Sequence, residues 1–122
     1  MNNTEVVNNT SKYIVKTTGI GSETNQELVD AEKLTEGTDG SKVSLIECYY
    51  LIEGTGTLTI SAASETESQG AGKTVAKPLK LTGKGKYGLR PNQLKFGNDK
   101  LFKLTTDANV KSYLLVTEFR RN

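Results

Sequence analysis

A chain of 122 residues with 34% hydrophobic side chains, no histidine and a single cysteine has the size of one domain and the makings of a thin core. Without histidine the commonest general base and the usual transition-metal ligand are missing. Ser-His-Asp and Cys-His catalytic arrangements and an ordinary zinc site are therefore excluded, and no apolar run reaches the roughly 18 residues that a membrane-spanning helix needs.

Residues 1 to 11, rich in Asn and Thr, show no periodicity and read as a flexible N-terminal arm that orders on contact with a partner. They lack a basic n-region and an apolar h-region, so no secretory signal is expected. The N-x-[ST] sequons at Asn2, Asn8 and Asn9 are then accidents of composition. From residue 12 to 122 the pattern is that of a single β-sandwich domain. Lys12 to Thr18 is the first strand candidate, closed by Gly19 and Gly21. Thr24 to Gly37 is ambiguous. Thr24 and Glu27 form a capping box and Gly37 stands where a helix C′ glycine would, yet Leu28, Val29, Ala31 and Leu34 make a broad, unfocused face. A short helix and an extended segment are both open.

Asp39-Gly40 turns the chain into Val43 to Ile52, the longest apolar run. Strict alternation puts Val43, Leu45, Tyr49 and Leu51 on one face and Ile46, Cys48, Tyr50 and Ile52 on the other. A strand apolar on both faces belongs in the middle of a sheet, with a core on one side and a second layer or partner on the other. Cys48, inside it, reads as a small buried hydrophobe. Gly54 and Gly56 then suggest a hairpin into Thr57 to Ala62, where Leu58, Ile60 and Ala62 alternate with polar residues.

Ser64 to Lys73 has no large apolar side chain and reads as a solvated loop. Val75 to Thr82 returns to a strand pattern, held to an edge or a strand start by Pro78. Gly83 to Pro91 forms a glycine-rich corner, followed by Gln93 to Phe96, a Gly97-Asn98-Asp99 turn, Lys100 to Thr105, and a last strand from Val110 to Phe119. About 6 to 8 short strands with turn signals between them predict an all-β fold, an antiparallel β-sandwich or small barrel with at most one short helix near residues 25–36.

Three motifs carry possible chemistry. Gly83-Lys84-Gly85-Lys86-Tyr87-Gly88 matches G-x-G-x-x-G, but Pro91 follows where a dinucleotide-binding helix would have to begin. Gly72-Lys73-Thr74 resembles the end of a Walker A loop, but the earlier glycine position holds Glu67. No cofactor is expected from either. Glu47 and Glu118 are the acids set inside apolar strands. A glycosidase would use one as acid and one as base, whereas the plainer reading has each facing solvent or paired with a neighbouring base. On that reading the protein is not an enzyme.

The charge layout is uneven. Glu23, Glu27, Asp30, Glu32, Glu36, Asp39, Glu47 and Glu53 face only Lys33 and Lys42, while Lys73, Lys77, Lys80, Lys84, Lys86, Arg90 and Lys95 share their stretch with no acid. Assembly between copies or onto a scaffold and a lysine-guarded sheet edge are both open. Nucleic-acid binding, with Tyr87 and Phe96 as stacking platforms, is the weaker third.

The run Leu79-Lys-Leu-Thr-Gly-Lys-Gly-Lys-Tyr-Gly-Leu-Arg-Pro91, with Tyr13-Ile-Val-Lys16 near the start and Ser112-Tyr-Leu-Leu-Val-Thr-Glu-Phe119 near the end, resembles small virion structural proteins of tailed bacteriophages, marine ones in particular. The resemblance implies a β-sandwich subunit on the capsid surface, a decoration or cement protein made in the host cytoplasm. Its partners would be the major capsid protein or other virion proteins, and it would be a homo-oligomer, with a trimer favoured. Lys84, Lys86, Tyr87 and Arg90, at the Gly83 to Pro91 corner, are the candidate protein-interface residues. A head- or tail-fibre module binding a receptor or carbohydrate is the alternative, and a nucleic-acid-binding barrel comes after it.

Overall fold

The computed structural model describes residues 1–62, 66–68, 74–76, 79–88 and 96–121. Its strands are β1 (Asn2–Asn8), β2 (Lys12–Ile20), β3 (Gln26–Asp30), β4 (Val43–Gly54), β5 (Leu58–Ala62), β6 (Thr66–Ser68), β7 (Thr74–Ala76), β8 (Leu79–Leu81), β9 (Lys84–Gly88), β10 (Phe96–Asp99), β11 (Leu101–Thr106) and β12 (Val110–Arg121). One antiparallel sheet runs β1-β2-β12-β4-β10, with β9 pairing β4 beside β10. A second runs β3-β11-β5-β8, and β6 pairs β7 separately. The all-β sandwich expected from the sequence is what the chain forms, from more strands than the pattern suggested.

The core lies between the two larger sheets. Leu58, Ile60 and Ala62 of β5 alternate inward as read, against Phe102 and Leu104 of β11. The facing sheet contributes Val15, Leu45, Leu115 and Phe119, all fully buried. Phe102 and Phe119 meet edge-on across the layers, with ring centroids 5.1 Å apart.

Three expectations change and one open alternative is resolved. The segment read as a flexible arm contains β1, an edge strand whose residues Asn2 to Asn8 register against Thr18 to Tyr13. The Asn3 side chain accepts from the buried Thr17 hydroxyl at 2.7 Å and donates to the Glu27 carbonyl at 3.4 Å, which ties this strand to the sandwich. Thr24 to Gly37 resolves toward the extended alternative, as β3 followed by one 3-10 turn, Ala31–Lys33. Asp30, not Thr24, caps that turn.

The hairpin does not form. β4 and β5 lie in different sheets, and the glycines between them serve an arch across the sandwich. Gly54 takes φ +103°, and a β-carbon on Gly54 or Gly56 would collide with Asn109, or with Asp107 and Val110. Lastly, the stretches expected as a loop and as a turn carry strand pairing: Thr66–Ser68 pairs with Thr74–Ala76, and Phe96–Asp99 pairs with β4.

β4 is central, as its two apolar faces require, but its phase changes partway. Phe119 pairs with Leu45 and the adjacent Glu118 pairs with Glu47, so Ile46 is an extra residue in the ladder. Val43 and Leu45 before the bulge face the core, as do Cys48 and Ile52 after it. Tyr49 and Leu51 are thereby turned to the outside.

Candidate interaction surface

Alternation along β2, β12, β4 and β9 fixes what the larger sheet presents away from the core. The rows follow the register: Ile14, Glu118, Glu47; then Lys16, Val116, Tyr49, Lys86; then Thr18, Leu114, Leu51, Lys84. The centre of this face is apolar and solvent-facing, with Tyr49 51% and Leu51 43% exposed. Large apolar residues seldom stand together in the open unless they meet something. Lysines border them on both sides.

Two depressions mark the surface. One, of about 310 Å³, is lined by Ile14, Glu47, Tyr49, Val116 and Glu118. Its neighbour, of about 210 Å³, is lined by Tyr49, Tyr50, Leu51, Gly85, Leu114 and Val116. They share Tyr49 and Val116, so a shallow groove runs along the β12–β4 pair.

The acids singled out from sequence meet here. Glu47 and Glu118 are direct cross-strand partners. Glu47 is paired with Lys86, Oε1 to Nζ 2.9 Å. The Lys86 ammonium, and after it the Tyr49 side chain, hold the Glu47 carboxyl below its usual range, and Glu47 in turn raises Lys86. Lys86 also sits 5.2 Å from the centroid of the Tyr49 ring. The Glu118 side chain makes no ion pair or hydrogen bond among the described residues.

Of the four predicted interface residues, Lys84 and Lys86 lie on β9 at the rim of this face. Tyr87 faces the other way and packs against the core, as a residue pinning the corner would. Arg90, with Pro91, lies outside the described residues. The glycines of the motif have separate uses. Gly83 takes φ +67° in the turn from β8 to β9, while a β-carbon at Gly85 would come within 2.9 Å of the Tyr50 hydroxyl. The motif therefore carries the chain from one sheet to the other. What the sequence did not reveal is the apolar centre, Tyr49, Leu51, Leu114 and Val116, because its assembly depends on the Ile46 bulge and on strand pairing over long separations.

Elsewhere the acidic segment is partly neutralised at the β3 edge, where Lys33 meets Glu27 and Lys100 meets Glu32. Burial pushes the Cys48 thiol up to about 12, which makes it a packed side chain and a poor nucleophile. No group of three or more His, Cys, Asp or Glu among the described residues could hold a metal ion. No described helix is long and apolar enough to cross a membrane. No protein-family model and no curated protein matches the chain.

Proposed function

We propose that the chain is a structural subunit of a tailed-bacteriophage particle, attached to the head as a decoration or cement protein through protein–protein contacts. The observation that supports this most is the outer face of the larger sheet, where exposed Tyr49 and Leu51 lie in an apolar centre bordered by Lys16, Lys84 and Lys86. An apolar centre with a polar rim is the anatomy of a protein interface. The sequence resemblance to small virion proteins points the same way, and its longest run includes β8, Gly83 and β9, which carry the chain from one sheet to the other. The first partner on this reading is the major capsid protein, and the subunit adds as a homo-oligomer, a trimer first of all, on the capsid surface.

Purified protein mixed with undecorated heads should pellet with them to a saturating ratio, and Tyr49→Ser/Leu51→Ser should stay in the supernatant while remaining folded. Wild-type protein that never pellets overturns the reading.

A second reading, a receptor- or carbohydrate-binding module of a fibre, is favoured by one feature. Tyr49 shares a depression with Glu47 and Glu118, and a ring beside carboxylates suits sugar hydroxyls. Binding on a glycan array that is abolished by Tyr49→Ser would select it.

A further inference from the structure

We propose that the groove along β12 and β4 receives an extended segment of another protein that carries an arginine followed, two and four residues on, by apolar side chains. The argument begins with the acidic end. Glu118 and Glu47 are opposed directly across neighbouring strands, which brings their β-carbons to about 4.5–5.5 Å. Like charges so placed repel. Lys86 engages Glu47 from the far side, at 2.9 Å, and Glu118 has no counter-ion among the described residues. Among the described residues, two carboxylates thus line one depression with a single paired cation between them.

The surroundings select the kind of cation. Ile14, Val116 and Tyr49 line the same depression, so the arriving group must bring an apolar stem and lose water readily. A guanidinium does both: its planar fork matches carboxylates and its face stacks on a tyrosine ring. A bare metal ion or a small amine would leave the apolar lining uncovered.

The rest of the groove sets the spacing. From Glu118/Glu47 the rows continue to Val116/Tyr49 and then Leu114/Leu51, each two residues further along both strands. An extended guest repeats its own side chains at the same interval of about 6.5–7 Å. Its first inward residue meets the carboxylates, and its third and fifth meet the two apolar rows. Lys16, Lys86 and Lys84 stand beside those later rows and repel a second basic residue there.

The inference rests on this face being the partner-facing surface and adds the chemistry of the partner. The test uses the full chain, labelled with nitrogen-15, and an acetylated, amidated hexapeptide of alternating arginine, threonine, leucine, threonine, leucine and threonine. Saturable amide shifts are expected along Glu47 to Leu51 and Leu114 to Glu118. Replacing the peptide arginine by glutamate, or introducing Glu118→Gln into the protein, should each weaken binding about tenfold.

Equal binding of the arginine and glutamate peptides overturns the proposal, as do shifts that map elsewhere or fail to saturate at millimolar peptide. A dimer of the free chain that buries Tyr49 and Leu51 also overturns it, since a second copy would then be the occupant. Capsids that fail to pellet the protein while the peptide binds count against the shell as partner and leave the groove standing. The reverse result removes the groove alone.

Discussion

The ring of Tyr113 on β12 lies over Gly19, its register partner on β2. A β-carbon built on Gly19 would stand 2.5 Å from the tyrosine Oη and 2.6 Å from Cζ. Tyr50 and Gly85 repeat the arrangement on the β4–β9 pair, so both flanks of the larger sheet use a glycine as the seat of a tyrosine ring. The two seats differ in their freedom to yield. Tyr113 is 4% exposed and cannot swing out, whereas Tyr50 is only partly buried. Gly19→Ala should therefore cost about 1–3 kcal/mol, as overpacking of a tight core does, and Gly85→Ala distinctly less. Urea unfolding of the two variants checks this. In Tyr113→Leu the penalty of Gly19→Ala should largely disappear, and a penalty that persists would assign the cost to the backbone instead.

Alkaline pH should destabilise the fold in a definite order. Burial holds the Cys48 thiol up to about 12, and burial first, with Glu23 adding to it, also raises Tyr113. Tyr13 is raised in the same way, again by burial first. In each case the folded state keeps a proton that the unfolded chain gives up earlier. The contribution is full below the unfolded pKa, about 8.5 for cysteine and 10 for tyrosine, and is lost as pH rises through the folded value. The urea midpoint should be level near pH 8, begin to fall near pH 9 and steepen above pH 10. Cys48→Ala should lower the plateau but flatten the first part of the fall. The native thiol should not react with a disulfide reagent at pH 8 until urea unfolds the chain.

Much of the fold was legible because local pattern and burial agree. Leu58, Ile60 and Ala62 alternate and are buried in that order, and β4 is central because nothing else accommodates its two apolar faces. The faces of β4 were not legible past Ile46, since one bulged residue inverts the phase and nothing local announces it. That inversion joins Val43 and Leu45 to Cys48 and Ile52 in the core and turns Tyr49 and Leu51 outward. Gly54 and Gly56 looked like a tight reversal, but their missing β-carbons instead make room for Asn109, Asp107 and Val110, residues distant in sequence. Glu47 and Glu118 could be singled out as acids within apolar strands. Their opposition, and the role of Lys86, follow only from register.

The exposed centre of the larger sheet should be cheap to alter, unlike the layer beneath it. Tyr49 and Leu51 make cross-strand contacts with Val116 and Leu114, pairs worth about 0.2–1 kcal/mol each. Leu115, their neighbour on the opposite face, is fully buried. Tyr49→Ser/Leu51→Ser should cost no more than about 2 kcal/mol and keep a native amide spectrum. Leu115→Ala should cost about 2–5 kcal/mol. Thermal melts of both variants make the comparison. A double variant as damaging as Leu115→Ala would mean that the outer face supports the fold and is not held in reserve for a partner.

Glu118 should be a residue whose removal strengthens the isolated protein. It faces Glu47 directly, and its own charge meets no counter-ion among the described residues, whereas Glu47 has Lys86 at 2.9 Å. Glu118→Gln keeps the shape and deletes the repulsion, so the unfolding free energy should rise by about 0.2–1 kcal/mol at neutral pH and low salt. Glu47→Gln deletes the same repulsion but also strands Lys86, and its gain should be smaller or absent. Screening at high ionic strength should shrink the Glu118→Gln gain. Urea titrations of the two variants at two salt concentrations separate the cases. A loss of stability in Glu118→Gln would mean that the carboxylate already serves the fold, and a gain would mark it as a charge the isolated chain carries at a cost.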